Sequence, residues 1–239
     1  MYDRAETAAA NDRLWSLVRE RLGHGPRTLT RDGTPHWEDP GLLLSQTCSL
    51  PYRTILRDKV TLVASPVHDL PCEKGFYFSV LIARAGDPRR TLAAFSGARL
   101  AINSPDSQSG WAAIEALARP AGIRFGSIAV TGAHRESARA VAEGRADLAA
   151  IDAVSWSMIA RWDAFAEMLS VFARSDPTPS LPYITAPGTD PAPLRSALAQ
   201  AIAALGPDDR EALCLTDVVA TDAGRYLALP LPDVSCLSP

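Results

Sequence analysis

The residues best placed to do chemistry in this chain follow three short apolar runs. Leu100–Ile102 leads into Asn103-Ser104-Pro105-Asp106-Ser107-Gln108-Ser109-Gly110-Trp111. Hydroxyls, an amide and the unbonded backbone N–H groups of a starting helix gather there, which makes an anion cradle. Hydroxyls donate without a fixed charge, the helix dipole favours a negative ligand, and Gly110 leaves the backbone open to close approach. Ile128–Val130 leads in the same way into Thr131-Gly132-Ala133-His134, and Leu148–Ile151 into Asp152. A single Ser, His or Asp in such a place also serves as an ordinary helix cap. Three such ends at one sheet edge point to a polar or anionic ligand, because ligands of open α/β sheets bind beyond the carboxyl ends of the strands. Asp152 accepts hydrogen bonds and repels a fully ionised phosphate, so beside the serines and His134 it calls for a ligand OH or amine.

Other chemistries are poorly served. A Ser-His-Asp arrangement of Ser107 or Ser109 with His134 and Asp152 is formally available, but no GxSxG nucleophile turn occurs. Neither a GxxxxGK[ST] phosphate loop nor an HExxH zinc motif is present, and one histidine is too few for a histidine metal site. No cofactor and no metal are expected. Cys48, Cys72, Cys214 and Cys236 are too far apart for a CxxC motif; they read as buried thiols, with a Cys48–Cys72 bridge as the alternative. Trp111 adjoins Gly110 and could stack on a ligand, although a tryptophan at a helical position more often belongs to the core.

The elements that must position these groups follow from periodicity. Leu14, Leu17, Val18 and Leu22 predict a helix over residues 5–22, stopped by Gly23, with loop from 23 to 40. Leu42–Leu44 reads as a short buried strand entering Ser45-Gln46-Thr47-Cys48, and residues 60–64 and 76–83 as further strands. From Leu100 strands alternate with helices over 110–118, 136–143 and 154–162, the βαβαβα signature of a mostly parallel sheet. Residues 168–173 and 182–185 are extended, 191–205 and 208–213 helical, and the tail after Leu229 irregular.

At 239 residues, 47% apolar and 21% charged, the chain has the composition of a soluble globular protein of one large or two ordinary domains. A formal net charge of −3 with scattered Lys and Arg argues against nucleic acid. No apolar run reaches the roughly 20 residues that span a bilayer, and MYDRAETAAANDRLW lacks the basic and apolar regions of a signal peptide.

The segments SQTC at Ser45–Cys48, NSPDSQSGW at Asn103–Trp111 and TGAHRESARAVAEGRADLAAID at Thr131–Asp152 resemble the phosphate- and phosphonate-binding components of ABC transporters, the phosphonate-type branch of the type II periplasmic binding proteins. The resemblance implies an α/β fold of two lobes, each a mostly parallel sheet flanked by helices, closing like a hinge on a small oxyanion in the cleft between them. It implies crossing strands near 79–84 and 171–175. Residues 1–82 and 173–239 would form one discontinuous lobe and 83–172 the other. Carried over by motif, Ser107, Gln108, Ser109, Gly110 and His134 contact the oxyanion, with Asp152 nearby, and Gln46, Thr47 and Tyr2 come from the opposite lobe.

Two departures stand out. Family members carry a signal peptide and a first strand ahead of the position of Met1-Tyr2, and the acidic set that would hold an aminoalkyl group is not evident beyond Asp152. The implied function is that of a non-enzymatic, monomeric, periplasmic receptor serving an ABC permease, without membrane insertion of its own. The alternatives are a ligand-sensing domain or a cytoplasmic enzyme on the same fold, such as a pyrimidine-precursor synthase, which needs a reactive lysine or histidine in the cleft, whereas Lys59 and Lys74 lie in segments that the pattern does not place there.

Overall fold

The computed structural model describes residues 2–237. In chain order its elements are α1 (Ala8–Leu22), β1 (Ser45–Gln46), α2 (Ser49–Arg53), β2 (Thr61–His68), β3 (Phe76–Tyr77), β4 (Ser79–Arg84), β5 (Arg99–Ile102), a π-helical turn (Gln108–Ala112) running into α3 (Ala113–Ala118), β6 (Ser127–Val130), α4 (His134–Ala142), β7 (Leu148–Asp152), α5 (Ala153–Trp162), β8 (Leu169–Arg174), β9 (Thr178–Pro179), β10 (Tyr183–Thr185), α6 (Pro191–Ala204), α7 (Pro207–Leu213), β11 (Leu215–Val219) and α8 (Ala223–Leu227). They form two compact units, Met1–Phe76 with Pro179–Leu229 and Tyr77–Thr178 with Pro230–Pro239.

In the first unit the sheet order is β1-β10-β2-β11, and each of the three pairings is antiparallel. α1 packs on it through Ala10, Leu14 and Val18, the stripe its periodicity predicts, and Gly23 ends the helix at φ +74°, where only glycine sits without strain. Asp190 caps α6 by accepting from the Ala192 N–H at 3.0 Å, and Pro191 opens the helix where no N–H is needed. Leu194, Leu198 and Ile202 of α6 then meet Leu14 and Val18 of α1 and Val63 of β2 in one core.

The second unit is built on the order β6-β5-β7-β4-β8. β5 runs parallel to both β6 and β7, while β4 is antiparallel to β7 and β8. β7 is buried at every residue, so it reads as an unbroken apolar run up to Asp152. Leu81, Leu100, Ile102, Ile114 and Leu148 share a core in which each fully buried side chain contributes about 1.5–3 kcal/mol.

The α/β architecture is the expected one, and several details depart from expectation. Strand directions are mixed rather than mostly parallel, because β4 and β8 return alongside β7 and the first unit's strands all pair antiparallel. Strand structure begins at Ser45, not at Leu42. Leu215–Val219, which follows the expected 208–213 helix and was not among the expected strands, is a strand set by its pairing with β2. The chain passes between units at 76/77 and 178/179, in the short paired strands β3 and β9, whereas 79–84 and 169–174 lie wholly within the second unit. The tail after Leu229 belongs to the second unit rather than the first: the Asp233 carbonyl accepts from Trp111 Nε1 at 3.1 Å, and Leu237 packs on the core. Cys48 and Cys72 are thiols, not a bridge, and Cys72 Sγ faces the Phe76 carbonyl at 3.2 Å. No helix among the described residues is long and apolar enough to cross a membrane.

Candidate functional site

In the second unit the chain leaves the carboxyl end of β5 at Asn103 and re-enters helix at Gln108. Ser107 is the cap: its backbone is extended, and its Oγ accepts from the Gly110 N–H at 2.9 Å. Its carbonyl receives both the Trp111 and the Ala112 N–H, at 3.2 and 3.0 Å, which widens the first turn into a π-helix. Such turns recur at functional sites because they rotate side chains off the ordinary helical spacing. Ser107, Gln108 and Ser109 are all buried despite their polarity.

Gly110 is required here for a different reason from the one expected. Its φ is not left-handed, and a β-carbon would overlap Asn103 Oδ1 and crowd Ser107 Oγ at 3.1 Å. The close neighbour of this glycine is thus the Asn103 side chain of its own loop. Asn103 Oδ1 is buried without a hydrogen-bond partner, a signal that periodicity could not give. Trp111 is core: it is 2% exposed and bound to Asp233, so it does not stack on a ligand.

β4 supports the turn from behind. Ser79 Oγ donates to the Ser109 carbonyl at 2.9 Å, and the Ser79 N–H donates to Ser175 Oγ at 2.9 Å. Ser79 also stands in register with Asp152 of β7. Sequence reading missed Ser79 because its role depends on β4 lying antiparallel to β7, which no local pattern encodes.

From β6 the Thr131 N–H donates to the Ile102 carbonyl and the Gly132 N–H to the Asn103 carbonyl, both at 2.9 Å, so the two loops are pinned together. Gly132 takes φ +87° to make that turn. Thr131 Oγ1 meets Ser137 Oγ at 2.7 Å and steadies the first turn of α4, whose own cap residue, Ala133, has no side chain to offer. α4 begins at His134, and His134 Nε2 lies 2.8 Å from Ser109 Oγ. Burial pushes the imidazole down to about 4, against the pull of the nearby Ala150 carbonyl. His134 is therefore neutral at pH 7. Nε2 and Ser109 Oγ share one hydrogen bond, and the Ala150 carbonyl lies against the same ring.

Asp152 closes the group in a different role. Its carboxylate accepts from the Ser155 N–H at 2.8 Å as the cap of α5, and the residue is 1% exposed. The carboxylate thus caps α5 from the same sheet edge that carries Ser109 and His134. The three strand ends do lie side by side in one sheet, and Ser107, Ser109 and His134 are brought together. Together they form an uncharged, donor-rich corner suited to an oxyanion.

The first unit's candidates are engaged locally. Gln46 Nε2 donates to the Leu181 carbonyl at 3.0 Å, and Thr47 is fully buried, with its N–H donating to Pro182 O at 3.1 Å. The Tyr2 carbonyl accepts from Thr7 Oγ1 at 2.8 Å, and its ring meets His68 edge-on at 5.4 Å. Lys59 is exposed and paired with Glu38 at 2.9 Å, and Lys74 is exposed. Among the described residues no group of three or more His, Cys, Asp or Glu could hold a metal ion.

Comparison with known proteins gives a consistent picture. Residues 44–223 match the family model described as ABC transporter, phosphonate, periplasmic substrate-binding protein. No curated protein matches the chain. Among solved structures, PhnD1 from Prochlorococcus marinus in complex with methylphosphonate has a TM-score of 0.73 at 14% identity, covering 94% of this chain and 91% of that one. A binding protein component of an ABC phosphonate transporter from Pseudomonas aeruginosa has a TM-score of 0.70 at 14% identity, with 92% and 79% coverage. XAC2383 from Xanthomonas citri, bound to chloride, has a TM-score of 0.69 at 17% identity, with 95% and 92% coverage. At these identities the structures speak for the fold, and the family match, over 180 of 239 residues, speaks for membership. The chain belongs to the phosphonate family of periplasmic substrate-binding proteins of ABC transporters.

Proposed function

We propose that this chain captures a small tetrahedral oxyanion, a phosphonate or phosphate, and delivers it unchanged to an ABC permease from the periplasm, acting as a monomer. The Ser109 Oγ to His134 Nε2 contact of 2.8 Å carries the proposal. It couples two helix N-termini through neutral groups, at a place where the helix dipoles favour an anion. Ser107 and Gln108 complete the cradle, Gly110 shapes it through Asn103, and Asp152 positions it by fixing α5. One oxygen of Asp152 already serves as a cap, which weakens the case for an aminoalkyl group there. A short phosphonate or plain phosphate is therefore favoured over an aminophosphonate.

A receptor role fits the chemistry better than catalysis. Ser109 and His134 are in contact, but the GxSxG turn that exposes a serine nucleophile is absent, and Asp152 Oδ1 is taken by the Ser155 N–H. The two lysines, Lys59 and Lys74, are both exposed, and Lys59 is ion-paired with Glu38.

A thermal-shift screen with methylphosphonate, inorganic phosphate, sulfate and acetate tests the assignment. A ligand at 100 times its dissociation constant adds roughly 2.7 kcal/mol, a readily measured rise in Tm. The expected result is a rise with methylphosphonate or phosphate and none with acetate. Absence of any shift with both phosphorus anions would overturn the proposal.

A further inference from the structure

The chain enters the second unit a third time at 229/230, and residues 230–237 lie there without strand pairing, with one 3-10 turn at Ser235–Leu237. Much of this segment faces solvent, with Leu231 59% and Val234 51% exposed. Pro230 and Pro232 restrict its backbone where it arrives. Its anchors gather around Trp111 and the end of α3. Trp111 Nε1 donates to the Asp233 carbonyl at 3.1 Å, and Leu237 packs on the core cluster that includes Trp111. The Asp233 carboxylate accepts from the Ser235 N–H at 2.8 Å, and the Arg119 guanidinium just after α3 attracts it.

Trp111 belongs at the same time to the turn that presents the candidate anion site. Its backbone N–H donates to the Ser107 carbonyl at 3.2 Å, and the N–H of Gly110 beside it donates to Ser107 Oγ at 2.9 Å. From β4, Ser79 Oγ fixes the Ser109 carbonyl at 2.9 Å. The turn is thus held at Ser109 by the sheet and at Trp111 by the segment. The indole is buried under that contact, so the ring cannot swing outward unless the segment lifts away.

We propose that residues 230–237 form a clasp that sets the affinity of the anion site through Trp111, an inference that rests on the reading of the Ser109–His134 corner as that site. Trp111 is then a positioning residue: its ring carries the docked state of the clasp to Ser107 and Ser109. A segment this exposed opens locally at a lower cost than the sheet behind it. Docked, it holds the π-turn in the form that receives the anion; lifted, it leaves the turn to the Ser79 anchor. Binding linkage is reciprocal, so whatever factor the clasp adds to anion affinity, the anion adds to docking of the clasp.

Two measurements test the clasp. One is calorimetric titration of methylphosphonate and inorganic phosphate into the intact chain and into a chain ended at Leu229. The other is hydrogen exchange of the Trp111 Nε1–H in the intact chain, without and with the anion that binds. Ending the chain at Leu229 should weaken binding about tenfold. Saturating anion should slow exchange of the indole N–H by the same factor, about tenfold, and the slowing should then level off. A segment that only covers the core lowers Tm on removal and moves neither readout, so equal Kd in the two chains would overturn the clasp. So would an indole exchange rate indifferent to the anion, or one that keeps falling in proportion to anion concentration, the mark of exchange through global unfolding. The exchange arm uses the intact chain and decides the matter even where the shortened chain does not fold. An intact chain that binds neither anion would overturn the anion reading itself, and this inference with it.

Discussion

Ser109 and His134, from different helices 25 residues apart, meet at 2.8 Å with the imidazole held neutral by burial. A protonated imidazole would add a full positive charge at this corner. The neutral ring instead meets the serine hydroxyl, so on the proposed function recognition rests on placed polar groups rather than on net charge. Such groups discriminate by geometry and lose little to salt screening.

Gly110→Ala tests the packing of the cradle. The new β-carbon overlaps Asn103 Oδ1, so the loop must move, and overpacking of this kind costs about 1–3 kcal/mol. For a chain of this size that lowers Tm by about 2–4 °C per kcal/mol. Scanning calorimetry should show the drop together with loss of anion stabilisation. An unchanged Tm would mean that Asn103 does not hold the turn.

Asp152 separates cap from ligand contact. Asp152→Ala should cost about 1–2 kcal/mol by removing the bond to the Ser155 N–H, whereas Asp152→Asn keeps a side-chain oxygen there. If the carboxylate serves α5 alone, Asp152→Asn leaves anion affinity within about threefold, under 1 kcal/mol. A tenfold change in either direction would place the carboxylate at the ligand.

Acid should destabilise the protein before its carboxylates titrate. His68 and His134 are both pushed down to about 4, below the ordinary 6.5. The unfolded chain therefore binds more protons than the folded one between those values, and stability is lost as pH falls through that window. The expected slope is roughly 1.4 kcal/mol per pH unit for each histidine. Urea unfolding between pH 6.5 and 4.5 should show it, and His134→Gln should halve it. Asp87, held near 2 by the Arg89 guanidinium, loses its contribution only below the usual carboxylate range, so the two effects are separable.

Local pattern carried the second unit well. The β5, β6 and β7 runs and the helices after them follow from periodicity, and the polar residues at their ends were recognisable because topology forces them to one edge. Ser79 and Asn103 were hidden, since one acts through an antiparallel register and the other through the space above Gly110. β11 escaped for a related reason: Leu215–Val219 is short and mixed, and β2 makes it a strand. Asp152 shows the limit of residue type, because a carboxylate at a helix start reads equally as ligand contact and as cap until Ser155 N–H is seen on it. Leu42–Leu44 has the composition of a strand, but ladder pairing begins only at Ser45, opposite Ile184.

The most direct measurement is calorimetric titration of methylphosphonate and inorganic phosphate into the wild-type chain and Ser109→Ala at pH 7. One-to-one binding of at least one anion is predicted, weakened about ten- to a hundredfold by removal of the Ser109 hydroxyl. Absence of binding heat with both anions, or an unchanged Kd in Ser109→Ala, would contradict the assignment of the Ser109–His134 corner as the anion site.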